Sequence, residues 1–477
     1  MNLKLFLLVL VVKVYGGDIP INDKFGHDEK GTFFIANVDN FDANSTRTFF
    51  HYYNQTHYGA SELNILHILS ESMNEVEGQD PNRHLPVEDY IRNLPKDPNP
   101  LYPRLSDDLH KEFDANIYEI EHRYYHQSYP VQYPVTKDDF KYMSTQQALE
   151  DYRHFILEMN KKLDTQAPKW LILGGSYAGM LTIWFRQRFP ELSIGAISSA
   201  GPVNVVLNFT GYMQLAQHGY EKRNPECAKH LKAAFAELKS LLNDVKSERL
   251  FELYPNLTHY DLNNKRERHL FAYEIVMDAY GQIQIDVDGI CKFFNVSTPN
   301  PLEELASRFI GLADPIEDKA WGSWMWQVCN ELGLFYSPDF EGSYVSGIYD
   351  VKVVFQQLCS SHFGPEFTYE QIGANVRKTR EYYEQDQPYN GTNIVVTNAE
   401  YDPFSVLGLT SALDESVSFI TIRNGSHCFD FRRGSLSDVV AARHIYKENI
   451  RRWMKTEDAA KIKVNLILAF IIAFLLL

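Results

Sequence analysis

Three residues of this 477-residue chain have the types and settings for nucleophilic hydrolysis: Ser176, Asp402 and His427. Ser176 stands in Gly174-Gly175-Ser176-Tyr177-Ala178-Gly179, just after the apolar run Leu171-Ile172-Leu173. Leu181, Trp184, Phe185 and Phe189 then repeat at three- and four-residue spacing until Pro190. An apolar run closed by two glycines reads as a buried strand, and the spacing that follows reads as a helix stopped by proline. A serine at that corner approximates G-x-S-x-G, the tight turn that lifts a hydroxyl above a sheet and points free helix N–H groups at an oxyanion. Ala178 stands where the last glycine would be, which adds one methyl to the tightest part of the turn. Over this stretch alone, a Gly-Ser turn without chemistry reads the same.

A serine nucleophile needs a base, and the base needs an orienting acid. Asp402 follows the strand-like run ending Val395-Val396-Thr397, and His427 follows the one ending Thr421-Ile422. Singly, an Asp-Pro after a strand is a turn and a histidine in a Gly-Ser loop is a surface residue. Together, at strand ends and in the chain order Ser, Asp, His of α/β-hydrolases, they read as nucleophile, imidazole orienter and general base. The oxyanion donor expected from the elbow itself is the backbone N–H of Tyr177, in the first turn of the helix.

The surrounding pattern is that of an α/β protein. Leu192 to Val203 reads as another buried strand. Residues 393–404 and 417–430 each pair a β-branched run with a polar loop, and Ser405 to Asp414 between them suits a short helix. Val439, Ala442, Tyr446, Ile450 and Trp453 share one helical face. From about 204 to 387 the character changes to helical stripes, such as Leu231, Phe235, Leu238 and Leu242, with few convincing strands. A crossover between neighbouring parallel strands takes about 30 residues, so most of this region reads as an insertion. The expected architecture is an α/β-hydrolase core in two parts, 17–203 and 388–456, with a mainly helical cap, 204–387, over the carboxyl ends of the strands.

The ends of the chain differ from the rest. Residues 1–16 have a lysine, a short apolar core and small residues, which reads as a secretory signal. Residues 457–477 finish in an apolar run without charges after Lys463, open to reading as a GPI-attachment signal or a short membrane anchor. N-x-[ST] sequons begin at Asn44, Asn54, Asn208, Asn256, Asn295 and Asn390, which suits a glycosylated secretory protein at the cell surface, secreted or in lysosomes. A further sequon at Asn424 lies three residues from His427. With 62 acidic against 46 basic residues the net charge is −16, which argues against nucleic acid and anionic membrane surfaces as partners. No phosphate-cradling loop, H-E-x-x-H, paired C-x-x-C or internal repeat occurs, and no metal or cofactor is expected. Peptides are the expected substrates, any membrane contact is through the terminal tail, and a homodimer is left open.

The segments beginning at Glu121 (EHRYYHQSYP), Gly174, Thr397 (TNAEYDPF) and Asn424 (NGSHCFD) resemble the family of lysosomal prolyl carboxypeptidase, dipeptidyl peptidase II and thymus-specific serine protease. Residues 33–53, 144–155 and 324–333 resemble it too, and Ala178 is most similar to the thymus-specific branch. The resemblance implies a serine exopeptidase, often cutting after proline, with Ser176, Asp402 and His427 in the roles read above. It also implies the disulfides Cys227–Cys291 and Cys329–Cys359, with Cys428 a buried thiol. Glu71, Met180, Phe404 and Trp326 are the residues expected to meet substrate. Glu71 would hold a peptide's α-amine or else be a solvated loop residue, and Met180 and Phe404 would shape a pocket for proline or a small apolar side chain. Three departures stand out. After Leu63-Asn64-Ile65-Leu66-His67-Ile68, Leu69-Ser70-Glu71-Ser72 replaces the family's Gly-Gly-Glu-Gly loop, which the resemblance makes the source of the second oxyanion N–H, at Ser70; His126 replaces a glycine, and Phe404 replaces a tryptophan. A weakened oxyanion loop leaves a second reading, a peptide-binding surface protein of the same fold without efficient turnover.

Overall fold

The computed structural model describes residues 24–69, 104–131, 137–163, 168–309, 319–432 and 436–475, with side chains given up to residue 456 of the last helix. The strands are β1 (Phe25–Asp28), β2 (Gly31–Asn37), β3 (Thr48–His57), β4 (Leu63–Ile68), β5 (Asn116–Ile120), β6 (Lys169–Gly175), β7 (Gly195–Ser199), β8 (Val206–Asn208), β9 (Gly333–Phe335), β10 (Ile394–Ala399) and β11 (Ser418–Ile422). Nine of them form one sheet in the order β1-β2-β3-β5-β4-β6-β7-β10-β11. The ladders from β5 through β11 are parallel, and β1, β2 and β3 are joined antiparallel at one side. The swap of β5 and β4 beside an antiparallel β3, with parallel strands beyond, is the α/β-hydrolase arrangement.

Alternation along the strands assigns the helices to faces. Leu171 and Leu173 of β6 pack on one side with Leu63, Ile65, Ile117 and Val395. They meet α1 (Leu105–Phe113) there, through Leu105 and Leu109. Trp170 and Ile172 point the other way, into the larger cluster with Tyr152 and Phe155 of α2 (Thr145–Lys162) and with Met180 and Trp184 of α3 (Ser176–Arg188). A fixed point on the second face is Arg123. Its guanidinium forks onto Asp151 with two bonds of 2.7 Å and also donates to the carbonyls of Val38, Tyr142 and Asn37. A buried ion pair holds only when its donors are all satisfied, and this one is.

The chain between β7 and β10 leaves the sheet. It forms α4 (Thr210–Arg223), α5 (Pro225–Asn243), α6 (Ser247–Leu253), α7 (Lys265–Gly281), α8 (Pro301–Ser307), α9 (Lys319–Gln327), α10 (Val351–Phe363) and α11 (Tyr369–Tyr382). Disulfides Cys227–Cys291 and Cys329–Cys359 staple this helical region. The small parallel pair β8-β9 also lies in it, with three residues to a strand, too few for a period-two pattern to show. The chain returns to the sheet through β10 and β11 and ends in α12 (Ser437–Leu475). Val439, Ala442, Tyr446, Ile450 and Trp453 of α12 are buried against the first face. Gly195 has to be small there, because a Cβ would stand 2.3 Å from the Trp453 ring.

Two local readings change. The stretch after Asp402 is a 3-10 turn, Pro403–Leu407, not a helix reaching Asp414. Gly408 explains the early stop: its backbone lies against Asn398, where a Cβ would meet Oδ1 at 2.5 Å, and the chain turns extended. The elbow helix also starts at Ser176 itself, two residues before the apolar repeat begins. The reading of residues 1–16 as a leader lies outside the described residues, and so do the side chains of the terminal apolar run. Among the described residues, no helix is long and apolar enough to cross a membrane.

Candidate active site

At the end of β6 the backbone turns sharply, and Ser176 carries the strain. Its φ is +55°, a conformation that costs a non-glycine residue of order 1–3 kcal/mol and is held only where the surroundings impose it. The glycines around it are required by close approach. A Cβ on Gly174 would lie 2.3 Å from the Ala178 carbonyl oxygen, and one on Gly179 would lie 2.6 Å from the Ser199 carbonyl. Tyr177 is the second residue of α3, so its N–H belongs to the first turn and has no partner within the helix.

Asp402 follows β10 and His427 follows β11, neighbouring parallel strands in register. Both side chains are buried, and the Asp402 carboxylate accepts from His427 Nδ1 at 2.9 Å. Its other oxygen accepts the Phe404 N–H at 3.0 Å, so the carboxylate is fixed from two directions. A carboxylate on Nδ1 leaves Nε2 as the free basic nitrogen. Burial works against protonation of the imidazole, but the Asp402 carboxylate and the Cys428 sulfur outweigh it and raise its pKa well above 6.5. The Ser176 turn touches this loop: a Cβ on Gly175 would stand 3.1 Å from Cys428 Sγ.

The helical region clasps the same loop from above. His427 N–H donates to the Gln284 carbonyl at 3.3 Å, Ser426 Oγ donates to the Ile283 carbonyl, and Arg432 donates to the Ile285 carbonyl at 2.9 Å. Beneath, Asp430 accepts from Ser199 Oγ at 2.5 Å and from Tyr446 at 2.6 Å. The histidine loop is therefore held by the cap, by the end of β7 and by α12.

The remaining site residues separate into groups. The Phe404 ring lies 5.2 Å from the His427 ring and packs on Phe209, Tyr212 and Tyr336, forming a wall beside the imidazole. Met180 is fully buried inside the core under the elbow. Trp326 is turned elsewhere: its ring stacks on Phe140, its N–H donates to the Met143 carbonyl, and it lines a separate cleft of about 610 Å³ with Lys137, Asn330 and Phe367. The tryptophan edge-on to Tyr177 is Trp324, at 5.9 Å. Two residues apart on a helix means opposite sides, and choosing between them from sequence needed the facing partner. Ser70 and Glu71 lie outside the described residues. His126, read above as standing in place of a glycine, has φ +51°, the region glycine enters freely. Cys428 is buried and belongs to neither disulfide, and among the described residues no group of His, Cys, Asp or Glu is arranged to hold a metal.

The family described as serine carboxypeptidase S28 matches residues 96–301 and 312–447. A putative serine protease of Caenorhabditis elegans is 28% identical over 396 residues, covering 72% of this chain and 73% of its own. The human thymus-specific serine protease is 24% identical over 407 residues, 73% and 76% of the two chains. The mouse lysosomal Pro-X carboxypeptidase is 22% identical over 386 residues, 73% and 77%. With more than half of its length matched, and with a strained serine elbow in an α/β-hydrolase sheet, the chain belongs to the serine carboxypeptidase S28 family of serine peptidases.

Proposed function

We propose that the protein is a serine exopeptidase that hydrolyses short peptides near a chain end, with Ser176 as nucleophile, His427 as general base and Asp402 as its orienting acid. The observation that carries the reading is the 2.9 Å bond from His427 Nδ1 to Asp402, beside a serine held at φ +55°. In the first half-reaction His427 Nε2 takes the Ser176 proton as Oγ attacks the substrate carbonyl carbon. The Tyr177 N–H stabilises the oxyanion. The C–N bond then breaks, and the imidazolium returns the proton to the leaving amine. Water enters, gives its proton to His427 and releases the acyl group from Ser176. The wall formed by Phe404 suits proline or a small apolar side chain, and replacing a tryptophan with phenylalanine relaxes that preference. Glu71, in a loop with no other acid until Glu75, is suited to the α-amine of a peptide.

The secretory route, with the lysosome as one destination, is part of the same proposal. It is supported by a relative named lysosomal and by exposure of all six predicted glycosylation asparagines, Asn44, Asn54, Asn208, Asn256, Asn295 and Asn390. The test compares one proline-containing peptide in free, N-acetylated and C-amidated forms, with Ser176→Ala as control. Loss of cleavage on acetylation supports amine recognition. Undiminished cleavage of the acetylated form removes Glu71 from that role and leaves carboxyl-end or internal cleavage. No cleavage of any form, with intact folding, favours the peptide-binding reading that the altered Leu69-Ser70-Glu71-Ser72 loop suggests.

A further inference from the structure

Behind the elbow, four buried polar side chains form one chain of hydrogen bonds. Tyr125 O–H meets Gln327 Oε1 at 2.5 Å, the Gln327 amide N–H reaches Tyr177 Oη, and Tyr177 Oη lies 3.0 Å from His122 Nε2. His122 Nδ1 is 2.6 Å from the Arg123 carbonyl oxygen. A carbonyl only accepts, so Nδ1 carries the hydrogen and Nε2 must accept. This fixes the direction of every bond: Tyr125 donates to Gln327, Gln327 to Tyr177, Tyr177 to His122, and His122 to the Arg123 carbonyl. Burial lowers the His122 pKa to about 3, so the ring stays neutral and the direction does not change over the working pH range.

The members come from three parts of the chain. His122 and Tyr125 follow β5, which ends at Ile120, and Tyr177 opens the elbow helix α3. Gln327 is the last residue of α9, in the inserted helical region, where Trp324 packs edge-on to the Tyr177 ring. Each of the four side chains donates to the next partner along the chain, and Gln327 is fully buried, so little but this contact explains an amide there. Tyr177 is also the residue whose backbone N–H, in the first turn of α3, is the oxyanion donor of the proposed mechanism.

We infer that Gln327 is a positioning residue for the oxyanion donor: through the Tyr177 hydroxyl, the cap sets the direction of the Tyr177 N–H. The inference rests on the reading of Ser176 as nucleophile. The chain reaches the reacting atoms only through Tyr177, and its effect falls on the transition state, where the oxyanion exists, rather than on substrate binding. His122 holds the far end of the same hydroxyl, so the tyrosine is gripped between core and cap.

The test measures kcat and KM on a peptide substrate for Gln327→Met, Tyr177→Phe and Gln327→Glu, with thermal unfolding to check folding. Full loss of an oxyanion donor lowers kcat about 10²–10³-fold, so misaiming one should lower it about tenfold, with KM within twofold. A protonated glutamic acid can both accept from Tyr125 and donate to Tyr177, whereas its ionised form can only accept. Gln327→Glu should therefore outperform Gln327→Met most at the acid end of the range, and lose that advantage as pH rises. Should Gln327→Met not fold, Tyr177→Phe and Gln327→Glu still give the answer. Wild-type kcat in a folded Tyr177→Phe protein, a loss that falls on KM, or a Gln327→Glu protein no better than Gln327→Met at low pH overturns the inference. Residual turnover by Ser176→Ala would instead sink the nucleophile assignment itself, so the two failures are told apart.

Discussion

In the sheet, each side chain of the proposed triad is placed by a backbone that cannot easily move. Ser176 follows β6, Asp402 follows β10 and His427 follows β11, and these strands are tied together through parallel ladders with β7. The cap acts on the same groups through a handful of contacts far apart in sequence: Gln327 on Tyr177, and the carbonyls of Ile283 and Gln284 on the histidine loop. The core thus fixes where the groups are, and the cap trims how they point. Replacements in the core should abolish chemistry, whereas those in the cap should reduce rate modestly and stability more.

The largest expected contrast is between Asp402→Asn and Ser426→Ala. Losing the carboxylate that orients His427 should lower kcat about 10⁴-fold. Losing the Ser426 bond to the Ile283 carbonyl removes about 1 kcal/mol of support from the loop, so a decrease of about fivefold is expected. Equal effects in a peptide-cleavage assay would break the division between core and cap.

Stability should show the reverse order. Cys227–Cys291 closes a loop with a sequence separation of 64 and anchors the segment just after the carbonyls that clasp His427. Replacing both cysteines with serine should lower stability by about 4 kcal/mol, read from urea unfolding, with a smaller effect on kcat. A second stability effect comes from Glu331, buried where the cap meets α2, with its carboxylate accepting from Thr145 N–H at 3.0 Å. Burial outweighs those bonds and pushes the Glu331 carboxyl up from 4.5 to about 7. Between those values the folded protein keeps a proton that the unfolded chain has released. Stability should fall as pH rises through that window, by up to about 3 kcal/mol. Glu331→Gln should flatten that slope, and an unchanged slope in thermal unfolding would remove Glu331 as its source.

How much of this could be read from the sequence follows the same division. β4, β6, β7, β10 and β11 are short apolar runs punctuated by glycine or polar loops. The elbow, the order Ser176, Asp402, His427 and the inserted region were visible because each depends on neighbours in the chain. The Gln327–Tyr177 contact spans 150 residues and the Ser426–Ile283 contact 143, and no local period encodes such distances. The same limit made Trp326 look like the substrate-facing residue, although Trp324 is the one turned toward Tyr177. Gly408 ended the turn after Asp402 through contact with Asn398, a side chain of β10 just before the turn, and a helical reading of Ser405 to Asp414 did not include that contact.

A smaller effect concerns pH. In the proposed mechanism the neutral imidazole is the active form, and the raised His427 pKa means that more of it is protonated near neutrality. Activity should climb with pH to a midpoint above 6.5. Cys428→Ala should shift that midpoint down, because the sulfur beside the ring helps to raise it. A midpoint at or below 6.5 would show that burial, which opposes protonation, prevails over Asp402 and Cys428.

The central claim, that the core presents an activated serine, is tested most directly by covalent labelling. A fluorophosphonate should add to the wild-type protein once, at Ser176, as read by intact mass and peptide mapping, and Ser176→Ala should take up none. Equal labelling of the two proteins, or no labelling of a folded wild type over a pH range extending above the His427 midpoint, would contradict the account.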